Sequence, residues 1–311
     1  MNNLSLSKFI ELPDVKAKFL EEFVKPTFSV KKDMLAPVIT SKPQEVGTAF
    51  DYLMRFCASF NNPNKISRHW VAESSLQILG QCKEDEEVVV TPNNRLAKAR
   101  NIEQIPKKII KKFKELKNIA YSDYRDAINL AKKNFESYLK TGYMSDDLIC
   151  SSLALAKIDV LKRAGYLLPL ERSPSDTKDI EDLRQLISIL DIETIKADHT
   201  CILNPVFGPE ANKLMNADGD LVIDDTFIDI KTVRDLKLNR KIFNQLIGYY
   251  TLYRIGGIRD MPSTNQINKL GVYFSRHGYL HTYKIEDIIN ESTYLDFIEW
   301  FKVRALKFAL P

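Results

Sequence analysis

The chain has 311 residues, of which 44% are hydrophobic and 28% are charged, and its 45 basic and 41 acidic residues leave a net charge of +4. These proportions are those of an ordinary soluble protein, and the length allows a sizeable core in one or two domains. The sequence contains no run of about eighteen apolar residues and no signal-peptide hydrophobic region at its start. We therefore expect a cytoplasmic protein with no membrane partner.

The cysteines and histidines are scattered along the chain. Cys57, Cys82, Cys150 and Cys201 lie far apart with no C-x-x-C spacing, which excludes the usual zinc and iron–sulfur patterns. His277 and His281 flank a predicted turn, and for this pair we favour a structural role over metal ligation.

Helical patterns dominate the first 190 residues. A short helix is predicted at 12–23, an irregular proline-containing segment follows it, and apolar residues recur at helical spacing over 44–57. Asp51 lies at the polar border of that second helix, where its simplest role is an i,i+4 ion pair with Arg55. Further helices are predicted at 69–79, 104–118, 122–140, 145–164 and 179–190, with no strand between those from 104 to 164.

Positive charge is concentrated in residues 95–117, where nine basic residues face two acidic ones, so this segment carries 9 − 2 = +7. Apolar residues recur there at helical spacing, which predicts an amphipathic helix with Lys107, Lys111 and Lys114 on its outer side. Such charge runs are usually solvated faces. A concentrated positive field also suits salt-dependent binding of nucleic acid through its phosphates.

Strands are concentrated in the final third of the chain. The patterns predict a strand at 200–203, a hairpin over 221–230, and a second hairpin made of 270–274 and 279–284, with helices at 242–253 and 285–308. In the helix at 242–253, Gln245 and Tyr249 lie on one side at i,i+4. This distribution indicates an α+β protein.

The first hairpin carries the clearest chemical signal. A two-residue turn at Asp224-Asp225 would pair residue 223 with 226 and 221 with 228, and would set Asp220 opposite Asp229. Lys231 then shares a face with Asp229, while the opposite face becomes an apolar core face and the charged face points outward. The core-facing residues would be Leu221, Ile223, Ile228 and Ile230.

Two carboxylates directly across a strand pair repel each other unless a cation lies between them. The hairpin therefore predicts a divalent metal site beside Lys231, although a solvated surface hairpin is the simpler alternative. Asp218 has the same parity as Asp220, so it is an alternative ligand or a partner for Lys231. A three-residue loop without a bulge would place Asp220 on the opposite face from Asp229.

Asp220, Asp229-x-Lys231 and Gln245-x-x-x-Tyr249, in this order, resemble the PD-(D/E)XK nuclease superfamily, especially its RecB-like exonuclease branch. Gly47-x-x-x-Asp51 is similar to the glycine-x-x-x-histidine motif of that branch, with aspartate in place of histidine. The resemblance covers residues 44–57 and 200–284.

The resemblance implies a restriction-endonuclease-like core with a mixed central sheet flanked by helices. Asp51, Asp220, Asp229 and the backbone carbonyl of Ile230 would hold Mg²⁺ or Mn²⁺, with Asp218 as a further candidate. Asp220, Asp229 and Lys231 would carry the catalysis. The residues expected to contact DNA are Gln245, Tyr249, Arg234, Lys107, Lys111 and Lys114.

We accordingly expect an N-terminal helix and irregular segment at 1–43, a nuclease core from 44–57 and 191–311, and a large helical insertion at 58–190. The expected activity is metal-dependent, exonuclease-like hydrolysis of phosphodiester bonds in DNA. The usual helix histidine is absent, and although aspartate can still bind a metal, the ligand set changes. An alternative function is also kept. That alternative is an inactive protein of the same fold that binds nucleic acid, or one that joins a phage or defence complex through protein partners or self-association.

Overall fold

The computed structural model describes residues 5–67, 69–81, 88–90, 96–98, 107–170 and 176–309, with side chains for all of these except 88–90, 96–98, 107–116 and 309. The chain divides into two compact units, each assembled from separate segments. The sheet unit comprises Met1–Pro37, Asn61–Arg68 and Ile189–Pro311, and the helical unit comprises Val38–Phe60 and His69–Ser188.

The helices and strands are numbered separately, each in chain order. The helices are α1 (Leu6–Phe9), α2 (Pro13–Glu22), α3 (Pro43–Asn61), α4 (Val71–Gln81), α5 (Lys107–Thr141), α6 (Asp146–Ala164), α7 (Thr177–Ser188), α8 (Pro209–Leu214), α9 (Arg240–Gly256), α10 (Ile285–Ile288) and α11 (Glu291–Ala309). The strands are β1 (Val88–Val90), β2 (Leu96–Lys98), β3 (Cys201–Leu203), β4 (Leu221–Ile223), β5 (Thr226–Lys231), β6 (Lys269–Phe274) and β7 (Tyr279–Lys284).

The helical unit is held together by an aromatic cluster and a buried carboxylate. Phe56 of α3 stacks on Phe135 of α5 with ring centroids 4.4 Å apart. The hydroxyl of Tyr52 donates to Asp159 of α6 at 2.7 Å. These contacts fasten α3 to α5 and α6.

The caps of α6 confirm the two ends predicted from the sequence. The Ser145 side chain accepts a hydrogen bond from the Leu148 N–H at the start of the helix, and Gly165 adopts a left-handed conformation (φ 76°) at its end.

The sheet unit is built on one mixed sheet. Among the described residues, its strand order is β3-β4-β5-β6-β7, with every neighbouring pair antiparallel except β5 and β6. A parallel pair needs a crossover connection, and α9 lies in the segment between β5 and β6. The general prediction of an α+β protein with a mixed sheet is confirmed.

Both faces of the central strand β5 are buried. The predicted core face is confirmed, since Leu221, Ile223, Ile228 and Ile230 are all buried. The prediction that the charged face points to solvent is wrong, because Asp229 is only 1% exposed. The crossover helix explains the difference: Tyr249 of α9 packs on Phe227 of β5 with ring centroids 5.1 Å apart, so this face is covered as well.

The N-terminal helices belong to the sheet unit and pack on α11. Phe9 and Phe19 contact Phe301 and Phe297 at centroid distances of 4.9 and 5.1 Å. Residues 1–37 are therefore part of the sheet unit, whereas the sequence predicted a separate N-terminal segment at 1–43. The helix predicted at 44–57 also falls elsewhere, since residues 38–60 cluster with the helical unit rather than with the sheet.

Three further elements differ from the sequence patterns. The helices predicted at 104–118 and 122–140 are one continuous helix, α5. The hairpin of β1 and β2 was not predicted. The helix predicted at 285–308 is interrupted at Ile289 and Asn290, where the Asn290 side chain accepts a hydrogen bond from the Ser292 N–H at the start of α11.

In the part of the chain that the structure describes, no helix is both long and apolar enough to cross a membrane.

Candidate active site

The site is centred on the end of β5, where Asp229 and Lys231 project from the same face. The Lys231 Nζ atom lies 2.6 Å from Asp229 Oδ2. Asp229 is buried, whereas the Lys231 side chain is 20% exposed, so the ion pair joins the interior to the surface. Alternation along the strand, which the sequence predicted, produces this arrangement.

Asp220 reaches the same strand from β4. The pairs 221 with 228 and 223 with 226 confirm the predicted register and the two-residue turn at 224–225. The ladder ends at Leu221, and the Asp220 carboxylate accepts a hydrogen bond from the Ile230 N–H at 2.7 Å. This bond fixes Asp220 beside the backbone of β5, next to Asp229.

Asp224 explains why the turn forms with two aspartates rather than with glycine. It adopts a positive φ of 50°, which aspartate tolerates better than most residues. Its carboxylate accepts hydrogen bonds from the backbone N–H groups of Asp198, His199 and Thr200 at 2.8–3.0 Å. Burial acts to raise the pKa of Asp224, but these hydrogen bonds outweigh it and the pKa is lowered.

Gly219 sets the positions of the two aspartates that flank it. A Cβ atom at this residue would lie 2.2 Å from Cζ of Phe227, so only glycine fits beneath that ring. Asp218 is partly buried, and its backbone forms an isolated bridge to Val206. Asp218 therefore remains a second candidate carboxylate beside Asp220.

The Asp229 carboxyl group has an unusual pKa because of its burial and its charged neighbours. Burial raises the pKa of Asp229 to about 6; the Lys231 ammonium opposes this rise, and the Asp220 carboxylate adds to it. A carboxylate that is buried beside a second carboxylate favours either a proton or an additional cation.

Gln245 and Tyr249 face this site from α9. The Gln245 side-chain amide donates to the Tyr249 hydroxyl at 2.9 Å, one helical turn apart. The Tyr249 ring is only 8% exposed and packs between Phe207 and Phe227. Because the hydroxyl accepts from Gln245, it can use its own proton to donate a further hydrogen bond.

The carboxylates lie close to this hydroxyl. Burial raises the pKa of Tyr249 well above its usual value, and the charges of Asp229, Asp220 and Asp218 raise it further. The tyrosine therefore stays protonated and remains a hydrogen-bond donor at neutral pH. The structure thus brings three aspartates, a lysine and a tyrosine hydroxyl together within the sheet unit.

The carboxylates of the site suit a divalent ion that keeps part of its water shell. Among the residues that the structure describes, no group of three or more histidine, cysteine, aspartate or glutamate side chains is placed to hold a metal. Mg²⁺ keeps several water ligands and is commonly bound by one or two protein carboxylates together with substrate phosphates. The pair of Asp220 and the buried Asp229 fits such a partly hydrated ion. The Ile230 carbonyl, in the same stretch of β5, would add an oxygen ligand.

The remaining predicted residues belong to other segments of the chain. Asp51 is on α3 in the helical unit and is partly buried. Arg234 is exposed in the loop after β5. Lys107, Lys111 and Lys114 belong to α5, but their side chains lie outside the described residues.

Residues that the sequence patterns did not indicate also support the site. Ser275 is fully buried at the end of β6, and its hydroxyl donates to Thr232 Oγ1 at 2.9 Å and lies 3.4 Å from the Lys231 carbonyl oxygen. This contact fixes the main chain immediately after Lys231. Nothing in the sequence distinguishes Ser275 from other serines. The position of Gly219 between two aspartates, in contrast, is a pattern from which its role could have been predicted.

No protein-family model, curated protein or solved structure matches the chain.

Proposed function

We propose that this protein hydrolyses phosphodiester bonds in DNA with the help of Mg²⁺ or Mn²⁺. The observation that supports this most directly is the buried Asp229 carboxylate, which lies 2.6 Å from Lys231. The second carboxylate, Asp220, accepts a hydrogen bond from the backbone of the same strand. The order of these residues is the one that resembles PD-(D/E)XK nucleases. An exonuclease-like mode is the finer part of the proposal and comes from the RecB-like resemblance alone.

Each residue has a defined part in this proposal. Asp220, Asp229 and the Ile230 carbonyl would hold the divalent ion, which would supply an activated water and offset charge on the scissile phosphate. Asp218 is the alternative to Asp220. Lys231 offers its ammonium to a phosphate oxygen, where a fixed local cation stabilises the charge that develops in the transition state.

Tyr249 positions the substrate rather than the ion. Its hydroxyl is oriented by Gln245 and keeps its proton, so it can donate a hydrogen bond to a phosphate oxygen. Arg234, exposed in the loop after β5, adds positive charge for the rest of the strand, which contributes affinity that weakens with salt.

A non-catalytic role is the second candidate. The observation that favours it is the lack, among the described residues, of a group of three metal-binding side chains. In this alternative the fold binds nucleic acid, or a partner protein in a phage or defence complex, without cutting.

Cleavage with and without metal separates the two functions. We expect the purified protein to degrade linear DNA in millimolar Mg²⁺ or Mn²⁺ and to leave it intact in excess chelator, as measured on labelled duplex and single strands. Binding to both substrates without cleavage in either metal would support the non-catalytic role.

Tyr249→Phe should slow cleavage by about tenfold to a hundredfold, the equivalent of about 1.4 to 3 kcal/mol in activation free energy. The substitution removes the hydroxyl but keeps the ring that packs on Phe207 and Phe227. Tyr253→Phe, one turn further along α9, is the matched control and should keep its activity. Equal rates for both variants would remove Tyr249 from the proposed site.

A further inference from the structure

An N-terminal segment packs against the edge of the sheet at which Lys231 emerges. Because β5 and β6 are parallel, their carboxyl ends lie side by side, and Lys231 is paired with Phe274. β7 begins at Tyr279 on the same edge, opposite Phe274. Residues 28–37, which we call the N-terminal strap, pack against this edge.

The strap is fastened at both ends and in the middle. Phe28 packs on Phe274 and His281 with ring centroids 5.7 and 4.9 Å apart. Lys32 Nζ lies 4.4 Å from the centroid of the Tyr279 ring.

At the far end of the strap, the buried Arg276 donates to the carbonyl oxygens of Ala36 and Pro37. Its own carbonyl accepts from the N–H groups of Leu35 and Ala36 at 2.9 and 3.0 Å. The strap is therefore a fixed wall beside the sheet rather than a loose linker.

A cavity of about 360 Å³ lies between this wall and the loop that follows β5. Its lining residues are Val30, Lys31, Lys32, Asp33 and Leu236. Leu236 lines the cavity and is five residues after Lys231, so the two residues are at most about 17 Å apart. About five nucleotide steps of a B-DNA strand, each of which rises about 3.4 Å, cover the same distance.

The cavity has the chemistry of a phosphate subsite. Lys31 and Lys32 are exposed, and within the described part of the chain neither ammonium forms an ion pair with a carboxylate. Surface lysines are usually solvated and mobile, but the cation–π contact with Tyr279 holds Lys32 in place. Val30 and Leu236 supply apolar surface for a sugar or base, and Asp33 limits the positive charge.

We propose that this cavity binds a backbone phosphate of the nucleic-acid strand a few nucleotides from the scissile bond. The proposal rests on the proposed function, because the same edge must hold the reacting phosphate. It assigns to the N-terminal strap a role in binding long substrates, with Lys31 and Lys32 as the phosphate contacts.

The test compares a Lys31→Gln/Lys32→Gln double variant with wild type in two assays. DNA binding is measured by fluorescence anisotropy in chelator between about 50 and 200 mM salt, where we expect about tenfold weaker affinity and a salt slope smaller by about 1, as for the loss of one phosphate contact. Hydrolysis of bis(p-nitrophenyl) phosphate, which is too short to reach the cavity, should be unchanged.

Two further variants calibrate these assays. Asp33→Asn should tighten DNA binding, because it removes the negative charge from the cavity. Lys302→Gln on α11, which removes a surface lysine paired with Glu299 at 2.7 Å, should leave both assays unchanged.

Unchanged DNA affinity in the double variant would overturn the proposal. Saturable binding of orthophosphate that the double variant loses, with no change for DNA, would also overturn it in favour of a small-anion site. The binding assay contains no metal and needs no cleavage. It therefore tests whether the cavity binds DNA even if the wild-type protein cannot cut DNA. A failure to cut would refute only the proposed function.

Discussion

Asp229→Asn and Lys231→Gln should each reduce DNA cleavage by about 10³-fold, the upper range for the loss of one fixed electrostatic contact in an active site. Asp229 is the buried carboxylate of the pair, and Lys231 is the ammonium held 2.6 Å from it. The measurement is single-turnover cleavage of labelled DNA at saturating enzyme, so that weaker substrate binding does not hide the rate of the chemical step.

The two variants should differ in metal binding. Asp229→Asn removes a proposed ligand and should weaken Mn²⁺ binding, whereas Lys231→Gln should keep it. Asp225→Asn is the control from the same hairpin, since Asp225 lies in the turn and pairs with Lys269 at 3.3 Å instead. Cleavage within threefold of wild type by both site variants would contradict the assignment of the active site.

Asp229→Asn should also stabilise the metal-free protein near neutral pH by about 3 kcal/mol. The pKa of Asp229 is raised from 3.8 to about 6 in the folded state, chiefly by burial. The folded state therefore holds the proton more tightly than the unfolded state, and the stability linked to this proton is complete below about pH 4. It is lost as the pH rises to about 6 and above, and the asparagine variant avoids this loss.

The measurement is denaturant unfolding of both proteins in chelator at several pH values, with the difference between them plotted against pH. The advantage of the variant should shrink as the pH falls from 6 towards 4. Added Mg²⁺ or Mn²⁺ should stabilise the wild type at neutral pH but not the variant, because only the wild type gains a ligand for its buried charge.

Asp224→Asn provides a control of opposite sign. Burial acts to raise the pKa of Asp224, but three backbone hydrogen bonds outweigh it, so the folded-state pKa is lowered. This aspartate contributes stability above its unfolded pKa and loses it in acid, so its asparagine variant should be less stable at neutral pH. If both variants shift stability in the same direction, burial does not destabilise the charged form of Asp229 as we infer.

The hairpin could be predicted from the sequence because its information is local. Alternation of side chains and a two-residue turn fix which residues share a face, and the structure shows both features in residues 221–230. The burial of Asp229 could not be predicted in this way. It depends on α9 crossing over the sheet, and a strand pattern does not reveal which elements cover it.

The division of the chain was harder to predict for a similar reason. The apolar residues of α3 predict that one side of this helix is buried. They do not indicate whether that side packs on the sheet or on other helices. Its contacts with Phe135 and Asp159 place it in the helical unit. The strap carries no periodic pattern at all, so its lysines gave no signal before their neighbours were known.

The packing of α1 and α2 on α11 bears on how the protein is synthesised. Asp14 and Arg304, which form an ion pair, are 290 residues apart in the chain. At about 5–20 residues per second, a ribosome needs about 15–60 s to make that length. During this interval Phe9 and Phe19 lack Phe301 and Phe297 of α11, on which they pack. The helical unit, which ends at Ser188, is synthesised before α11. We expect nascent chains to need protection of α1 and α2 until α11 has been synthesised.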